Sequence, residues 1–304
     1  MGKRAKKIPL KQKIIFSILA VVVVAFLAAG GYFLIVNKPV KEEPGIVLNK
    51  TGEAGEVNLN KAVRILVLGS DSRNHNIRGS RSDANMLVQI NKDKSANIVS
   101  FPRDSYVPIP GSGQRKINSA LAMGGPQLTV KTIENYSGLK MDYYMVAPFP
   151  SFTGIINAVG GLNFHFDKPL NDSLAGAHFS AGNRKLRGGE ALAVARSRHV
   201  AGGDFARQAR QQEIAIAVLK QEGPRVDNLG YLLKLTTILS KRVTTNLSNK
   251  ELFNLVRLVL SINRDKIDHT VLQGGTGSGG GASVVHLNRA YADKVFAKMK
   301  QKAK

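Results

Sequence analysis

The chain has 304 residues, a formal net charge of +23 and no cysteine. That length allows one large domain or two small ones, with a substantial core. The lack of cysteine excludes disulfides and thiolate metal sites and is compatible with an extracytoplasmic location. The charge points to a polyanionic setting: nucleic acid, an anionic membrane face or an anionic polymer.

Lys3, Arg4, Lys6, Lys7, Lys11 and Lys13 precede a run from Ile14 to Val36 that contains no charged residue. As a helix, that run covers a hydrocarbon core of about 30 Å. By the positive-inside rule the basic residues 1–13 stay in the cytoplasm. A cleaved signal peptide has an apolar region of about 7–15 residues. The longer run here predicts a retained single-pass signal-anchor over 14–36, with everything after it outside the cell. Residues 37–60, rich in Lys, Glu, Gly, Pro and Asn, read as a juxtamembrane linker. One globular domain over 61–304 follows.

Within that domain Val63–Leu68 is an apolar run suited to a buried strand. Met86–Ile90 and Ala96–Phe101 flank a polar turn and predict a hairpin. Pro126–Tyr136 predicts a helix stopped by Gly138. A strand at Asp142–Phe149, a helix at Ser151–Val159 and a strand at Leu162–Phe166 come next. Asp204–Gln221 is a strong amphipathic helix ended by Gly223-Pro224. Helices at Leu229–Lys241 and Lys250–Ser261, a strand at His269–Gln273, a mobile loop at Gly274–Gly281, a short strand and a basic C-terminal helix complete the chain. Strands interleaved with helices predict an α/β fold: a central mixed sheet with helices on both faces, α-β-α.

Arginines and aspartates recur where these apolar runs end. The clusters are Gly69-Ser70-Asp71-Ser72-Arg73, Arg81-Ser82-Asp83, Phe101-Pro102-Arg103-Asp104, Arg196-Ser197-Arg198 and Gly203-Asp204-Phe205-Ala206-Arg207-Gln208-Ala209-Arg210-Gln211-Gln212. Taken singly, each reads as a solvated surface pair worth little. Taken together at element ends, they suit a divalent cation and a pyrophosphate. Asp71 and Asp83, at the ends of adjacent strands, could hold one Mg²⁺, which prefers oxygen ligands and shares its shell with water and phosphates. Arg73, Arg81, Arg103, Arg196, Arg198 and Arg207 could serve the phosphates, because a guanidinium donates bidentate hydrogen bonds and keeps its proton. Arg196 and Arg198 share a face only in extended backbone, which favours a strand or loop there. Asp204 also suits a helix N-cap.

Other chemistries fit poorly. No Gly-x-Ser-x-Gly elbow and no Gly-Lys-Ser/Thr phosphate loop is present. The six histidines show no zinc-type pairing, and His199 reads as a bystander of the arginine pair. Ile155, Ile156, Val159, Ile214, Ile216, Val218, Leu219, Leu232, Leu233 and Leu235 could line a lipid tunnel, but ordinary core packing explains them more simply.

These motifs in this order resemble the LytR-CpsA-Psr family of Gram-positive bacteria. The resemblance runs from about Val63 to Gln221 and includes Lys116-Ile117-Asn118-Ser119-Ala120 and Ala158-Val159-Gly160-Gly161-Leu162. It departs at Asn85, where an apolar residue is common, and at Gly188-Gly189-Glu190-Ala191-Leu192, where Gln is more usual than Glu. It implies that Asp71 and Asp83 bind Mg²⁺ and that Arg103, Arg196 and Arg198 bind pyrophosphate. Arg73, Arg81, Lys116, Arg207 and Gln211 would stand around them, with Asp204 as a further acid.

The family's activity would be a phosphotransferase reaction in cell wall biogenesis. A teichoic acid or capsular polysaccharide moves from an undecaprenyl-pyrophosphate carrier to a peptidoglycan hydroxyl at the Gram-positive cell surface. Asp71, Asp83 and Asp204 are candidate proton acceptors, Asp204 the least favoured. Expected partners are the lipid-linked glycan, peptidoglycan and the membrane, without nucleic acid. Three alternatives remain: a polyprenyl-pyrophosphate phosphatase using water as acceptor, a wall-anchoring module that binds anionic polymer, and a DNA-binding transcriptional regulator. The last lacks a basic helix-turn-helix and conflicts with the expected topology.

Overall fold

The computed structural model describes Val57 and residues 61–303. The expected cytoplasmic tail, the membrane segment at 14–36 and nearly all of the linker lie outside the described residues. Among the described residues, no helix is long and apolar enough to cross a membrane.

The chain opens with β1 (Val63–Ser70), β2 (Ser82–Ile90), β3 (Ala96–Ser100), β4 (Tyr106–Ile109), β5 (Gly113–Lys116) and α1 (Ser119–Ser137). It continues through β6 (Tyr143–Pro148), α2 (Phe149–Ala158), β7 (Leu162–Phe166), β8 (Leu170–Asp172), β9 (Ala177–Phe179), β10 (Gly182–Leu186) and α3 (Gly188–Arg196). Then come α4 (Gly203–Glu222), α5 (Leu229–Arg242), β11 (Thr244–Thr245) and α6 (Asn249–Leu260). The last elements are β12 (Ile267–Val271), β13 (Gly274–Gly279), β14 (Ala282–Leu287) and α7 (Arg289–Lys302).

One six-stranded sheet runs in the order β11-β6-β1-β2-β3-β12. β1 pairs parallel with β6 and antiparallel with β2, and β3 pairs parallel with β12, so the sheet is mixed, as expected. Strand alternation sends neighbouring side chains to opposite faces. Leu66, Leu68, Leu87, Val99 and Tyr144 face one core, closed by Val130 and Ile133 of α1 and Phe296 and Met299 of α7. Val63, Ile65, Ile90 and Tyr143 face the other, closed by Leu232 and Leu235 of α5 and Leu252, Phe253 and Val256 of α6. The sheet therefore lies between two helical layers.

A third core sits at one side of the sandwich. Ile156 of α2, Phe164 and Phe166 of β7, Leu186 of β10, Val194 of α3 and Ile214 of α4 pack together. Phe166 stacks on Phe179 with ring centroids 5.0 Å apart. This small core carries the Arg196–Arg198 segment. It also divides the residues considered for a lipid tunnel. Ile156, Ile214 and Val218 belong here, whereas Val159, Leu219, Leu232, Leu233 and Leu235 pack in the second core.

One sequence expectation is corrected. The expected loop at Gly274–Gly281 is instead largely strand, since Gly274–Gly279 pairs antiparallel with β14. A Cβ at Gly277 would lie 2.7 Å from the His286 ring and one at Gly279 3.0 Å from the Tyr106 ring. The glycines are there because the strand runs tight against those rings.

Candidate active site

Three strand ends meet at one end of the sheet. β1 leads into Asp71, β2 begins with Ser82 and Asp83, and β3 leads through Phe101 and Pro102 to Arg103 and Asp104. Gly69 pairs with Ala84 and Ser70 with Ser82, leaving Asp83 as the extra residue of a β-bulge. A bulge interrupts the pleat and re-aims the side chain it carries. Here it presents Asp83 to Arg103, whose Nη1 donates to Asp83 Oδ1 at 2.7 Å.

Arg103 is the hub of the acidic groups. Its Nε lies 3.6 Å from Asp104 Oδ2 and 3.9 Å from Asp204 Oδ1. Burial alone would make it easier to deprotonate, but Asp83, Asp104 and Asp204 outweigh burial and raise its pKa. Asp104 also holds Lys116, with Nζ 2.9 Å from Oδ1.

α4 begins after Gly202, which holds φ at 85°, a left-handed value suited to glycine. Helical spacing puts Asp204, Arg207, Gln208 and Gln211 on one face. Arg207 Nη2 is 2.6 Å from Asp204 Oδ1. The Asp83 carbonyl accepts from Arg207 Nη2 at 3.4 Å and from Gln208 Nε2 at 3.3 Å. Burial raises the Asp204 carboxyl despite Arg207 and Arg103, and lowers the Arg207 guanidinium despite Asp204.

Arg196 is the last residue of α3, Ser197 leaves the helix with extended angles, and Arg198 follows in the loop. The expectation of strand or loop across this pair is corrected at Arg196, which is helical, and holds from Ser197 onward. The Arg196 guanidinium lies 5.2 Å above the Phe149 ring centroid, a cation–π contact that fixes its direction.

These groups converge. Asp83, Arg103, Arg196, Arg198 and Arg207 line one cavity of about 290 Å³, with Leu174, Ala175 and His199 completing the wall. Asp204 lies behind Arg103 and Arg207, and Lys116 is linked through Asp104. Asp71 sits across the strand end, its Oδ1 accepting from Arg81 N at 2.8 Å. Arg73 and Arg81 are exposed and do not line this cavity. Gln211 supports the wall from behind, donating from Nε2 to the Ala195 carbonyl at 3.0 Å. Gln208 stands in the Gly203–Gln212 cluster but had no role assigned from sequence, although its place four residues after Asp204 puts it on the same helix face. Its link to the Asp83 bulge depends on tertiary packing that no local pattern reports.

The two aspartates can be tested against Mg²⁺. Among the described residues no group of three or more His, Cys, Asp or Glu side chains could hold a metal. Asp83 lines the guanidinium cavity and Asp71 lies at the adjoining strand end, a sparse carboxylate set. That fits an ion that keeps waters and takes substrate phosphate oxygens, and does not fit a closed all-protein cage.

The chain matches the LytR_cpsA_psr family over residues 35–301. A polyisoprenyl-teichoic acid–peptidoglycan teichoic acid transferase TagU of Bacillus mycoides (strain KBAB4) is 34% identical over 260 residues, covering 81% of this chain and 83% of that protein. TagT bound to LI-WTA superposes with a TM-score of 0.69 at 27% identity, covering 85% of this chain and 99% of that one. A second structure, the LytR-CPS2A-psr family protein YwtF (TagT) with bound octaprenyl pyrophosphate lipid, gives 0.65 at 27% identity with the same coverage. A guanidinium-lined cavity at the strand ends of an α-β-α sandwich suits chemistry at a phosphate group, and the named relatives make the chain a phosphotransferase. The chain belongs to the LytR_cpsA_psr family.

The departure at Glu190 costs nothing visible. Its Oε2 accepts from Arg187 N at 2.6 Å and so caps α3. Asn85 is fully buried, and its Nδ2 reaches the Ser82 carbonyl at 3.4 Å, inside the bulged segment.

Proposed function

We propose that this protein transfers a glycopolymer of the teichoic acid or capsular polysaccharide type from an undecaprenyl-pyrophosphate carrier to a hydroxyl of peptidoglycan, the muramic acid C6 hydroxyl. The observation that carries this reading is the convergence of Arg103, Arg196, Arg198 and Arg207 on one cavity beside Asp83. Guanidinium groups held before the substrate arrives stabilise charge that grows as a P–O bond breaks, without reorganising at that moment.

Arg196 and Arg198 grip the pyrophosphate from the loop side, and Arg103 and Arg207 grip it from the sheet and α4. The acceptor oxygen attacks the phosphorus that bears the polymer. The bond from that phosphorus to the bridging oxygen breaks, leaving undecaprenyl phosphate and a phosphodiester-linked polymer. Asp83 of the cavity wall, or Asp71 at the adjoining strand end, takes the acceptor's proton. Asp204 is committed to Arg207 and Arg103 as counter-ion. Asp71 and Asp83 would hold Mg²⁺, which when bound supplies further neutralisation of phosphate charge. The proposed setting is the outer face of the cell membrane, with the span at 14–36 keeping the site near its lipid-linked donor.

The full chain, given a lipid-pyrophosphate-linked glycan and peptidoglycan with Mg²⁺, is expected to yield glycan covalently joined to peptidoglycan. EDTA should stop the reaction, and an Arg196→Ala, Arg198→Ala double variant should lower turnover at least about 100-fold. Full transfer by the double variant would sink the site assignment. Release of free phosphorylated glycan at the same rate with and without peptidoglycan would instead identify a lipid pyrophosphatase.

A further inference from the structure

Asp172, at the end of β8, is a charged side chain outside the cavity that the reaction does not use directly. Its side chain is fully buried. Its Oδ2 accepts three hydrogen bonds from one short segment: Arg198 N at 2.8 Å, His199 N at 2.9 Å and Ser197 Oγ at 3.0 Å. Its Oδ1 accepts from Ala175 N at 3.2 Å and lies 3.4 Å from His199 Nδ1. Ala175, Arg198 and His199 are all wall residues of the arginine cavity. One carboxylate thus fastens the 173–176 turn to the segment that carries Arg198.

The same segment is held from the opposite side. Arg210 Nη2 donates to the Ser197 carbonyl, and Gln211 Nε2 donates to the Ala195 carbonyl at 3.0 Å. Donors from α4 fix the carbonyls, while Asp172 fixes the N–H groups. The connection from α3 to α4 spans six residues, 197–202, and an irregular segment of that length would otherwise sample several orientations. Pinned on both sides, it presents Arg198 in one direction.

We propose that Asp172 is a positioning residue for the phosphate clamp, acting through the Ser197–His199 backbone to preset Arg198 for the pyrophosphate of the lipid-linked donor. This rests on the pyrophosphate reading given above. Asp172 must be ionised to accept at four donors. Burial by itself would raise its pKa, but bonds from His199 N, Arg198 N, Ser197 Oγ and Ala175 N outweigh burial and hold it well below the usual carboxylate range. An asparagine would turn one acceptor oxygen into an NH₂ donor facing N–H groups. The segment would then shift, and displacements of about 1 Å in positioned groups cost up to about 100-fold.

The test is a double-mutant cycle on binding of octaprenyl pyrophosphate by the full chain in detergent. Asp172→Asn is expected to weaken binding about tenfold, and Arg198→Ala by at least as much. The Asp172→Asn, Arg198→Ala double variant should bind within about twofold of Arg198→Ala alone. Combined with Arg103→Ala instead, the losses should multiply. If Asp172→Asn does not fold, as read by thermal melting, Ser197→Ala enters the same cycle. It removes one Oδ2 bond without altering charge, and its smaller loss should also vanish in the Arg198→Ala background. Wild-type binding with losses that multiply in the Arg198→Ala background, or with no loss at all, overturns the positioning role alone. A wild type that fails to bind the lipid overturns the pyrophosphate reading and this inference together.

Discussion

The Asp204–Arg207 pair is an ion pair that both partners resist. Burial pushes the acid up and the base down despite their mutual attraction, with Asp104 and Asp83 adding to the rise of the acid and Arg103 and Arg198 to the fall of the base. Arg207 is nonetheless almost fully buried, with its carbonyl partner Asp83 on the bulge. Such a pair holds a guanidinium rigidly at the cavity wall at some cost to the fold. Asp172 is the opposite case, a buried carboxylate satisfied on both oxygens. Because its pKa is lower in the folded than in the unfolded chain, it stabilises the fold above the ordinary carboxylate range of about 4 and loses that contribution as pH falls below it. In acid titrations followed by circular dichroism, wild type should lose stability below about pH 4 more steeply than Asp172→Asn. Equal slopes would show that the Asp172 bonds do not hold in solution.

At the scale of elements, the cavity depends on how closely α3 approaches α2. A Cβ on Gly188 would fall 2.2 Å from the Thr153 carbonyl oxygen, whereas one on Gly189 would meet nothing within 4 Å. Gly188→Ala should therefore cost about 1–3 kcal/mol, read as a lower Tm. Gly189→Ala should leave Tm unchanged or raise it, by up to about 1 kcal/mol in stability. Similar losses at both positions would contradict the close packing.

The elements legible in the sequence were those whose apolar runs end at clear stops. β1, the β2–β3 hairpin, α4, α5 and α6 fall within a few residues of expectation. The elements missed were mostly short strands, together with the nine-residue helix α3, which opens on two glycines and runs into the Arg196–Arg198 segment. β5 is Gly-Gln-Arg-Lys, and β8 and β9 have three residues each. β13 was masked by its glycines, which signal flexibility in isolation and close packing in context. At the site, the charged residues were legible as an ordered set, and five of them share one cavity. Gln208 and Asp172 were not, because each acts on a backbone segment brought near it only by the fold.

For the whole molecule, the C-terminal third lies within the family match over residues 35–301 and completes the sandwich. α5 and α6 close one face of the sheet, α7 closes the other, and β12 extends its edge. The strand ends that carry Asp71, Asp83 and Arg103 are fixed by cores on both sides. The net charge of +23 suits an anionic environment, and the arginines within the cavity narrow that general attraction to a phosphate group. Mass spectrometry of lipid extracted from the full chain purified out of its native membrane tests this most directly. The account predicts a polyprenyl pyrophosphate, with or without attached sugar, bound to wild type and lost from the Arg196→Ala, Arg198→Ala variant. Wild type without such a lipid, or equal amounts in both proteins, would contradict it.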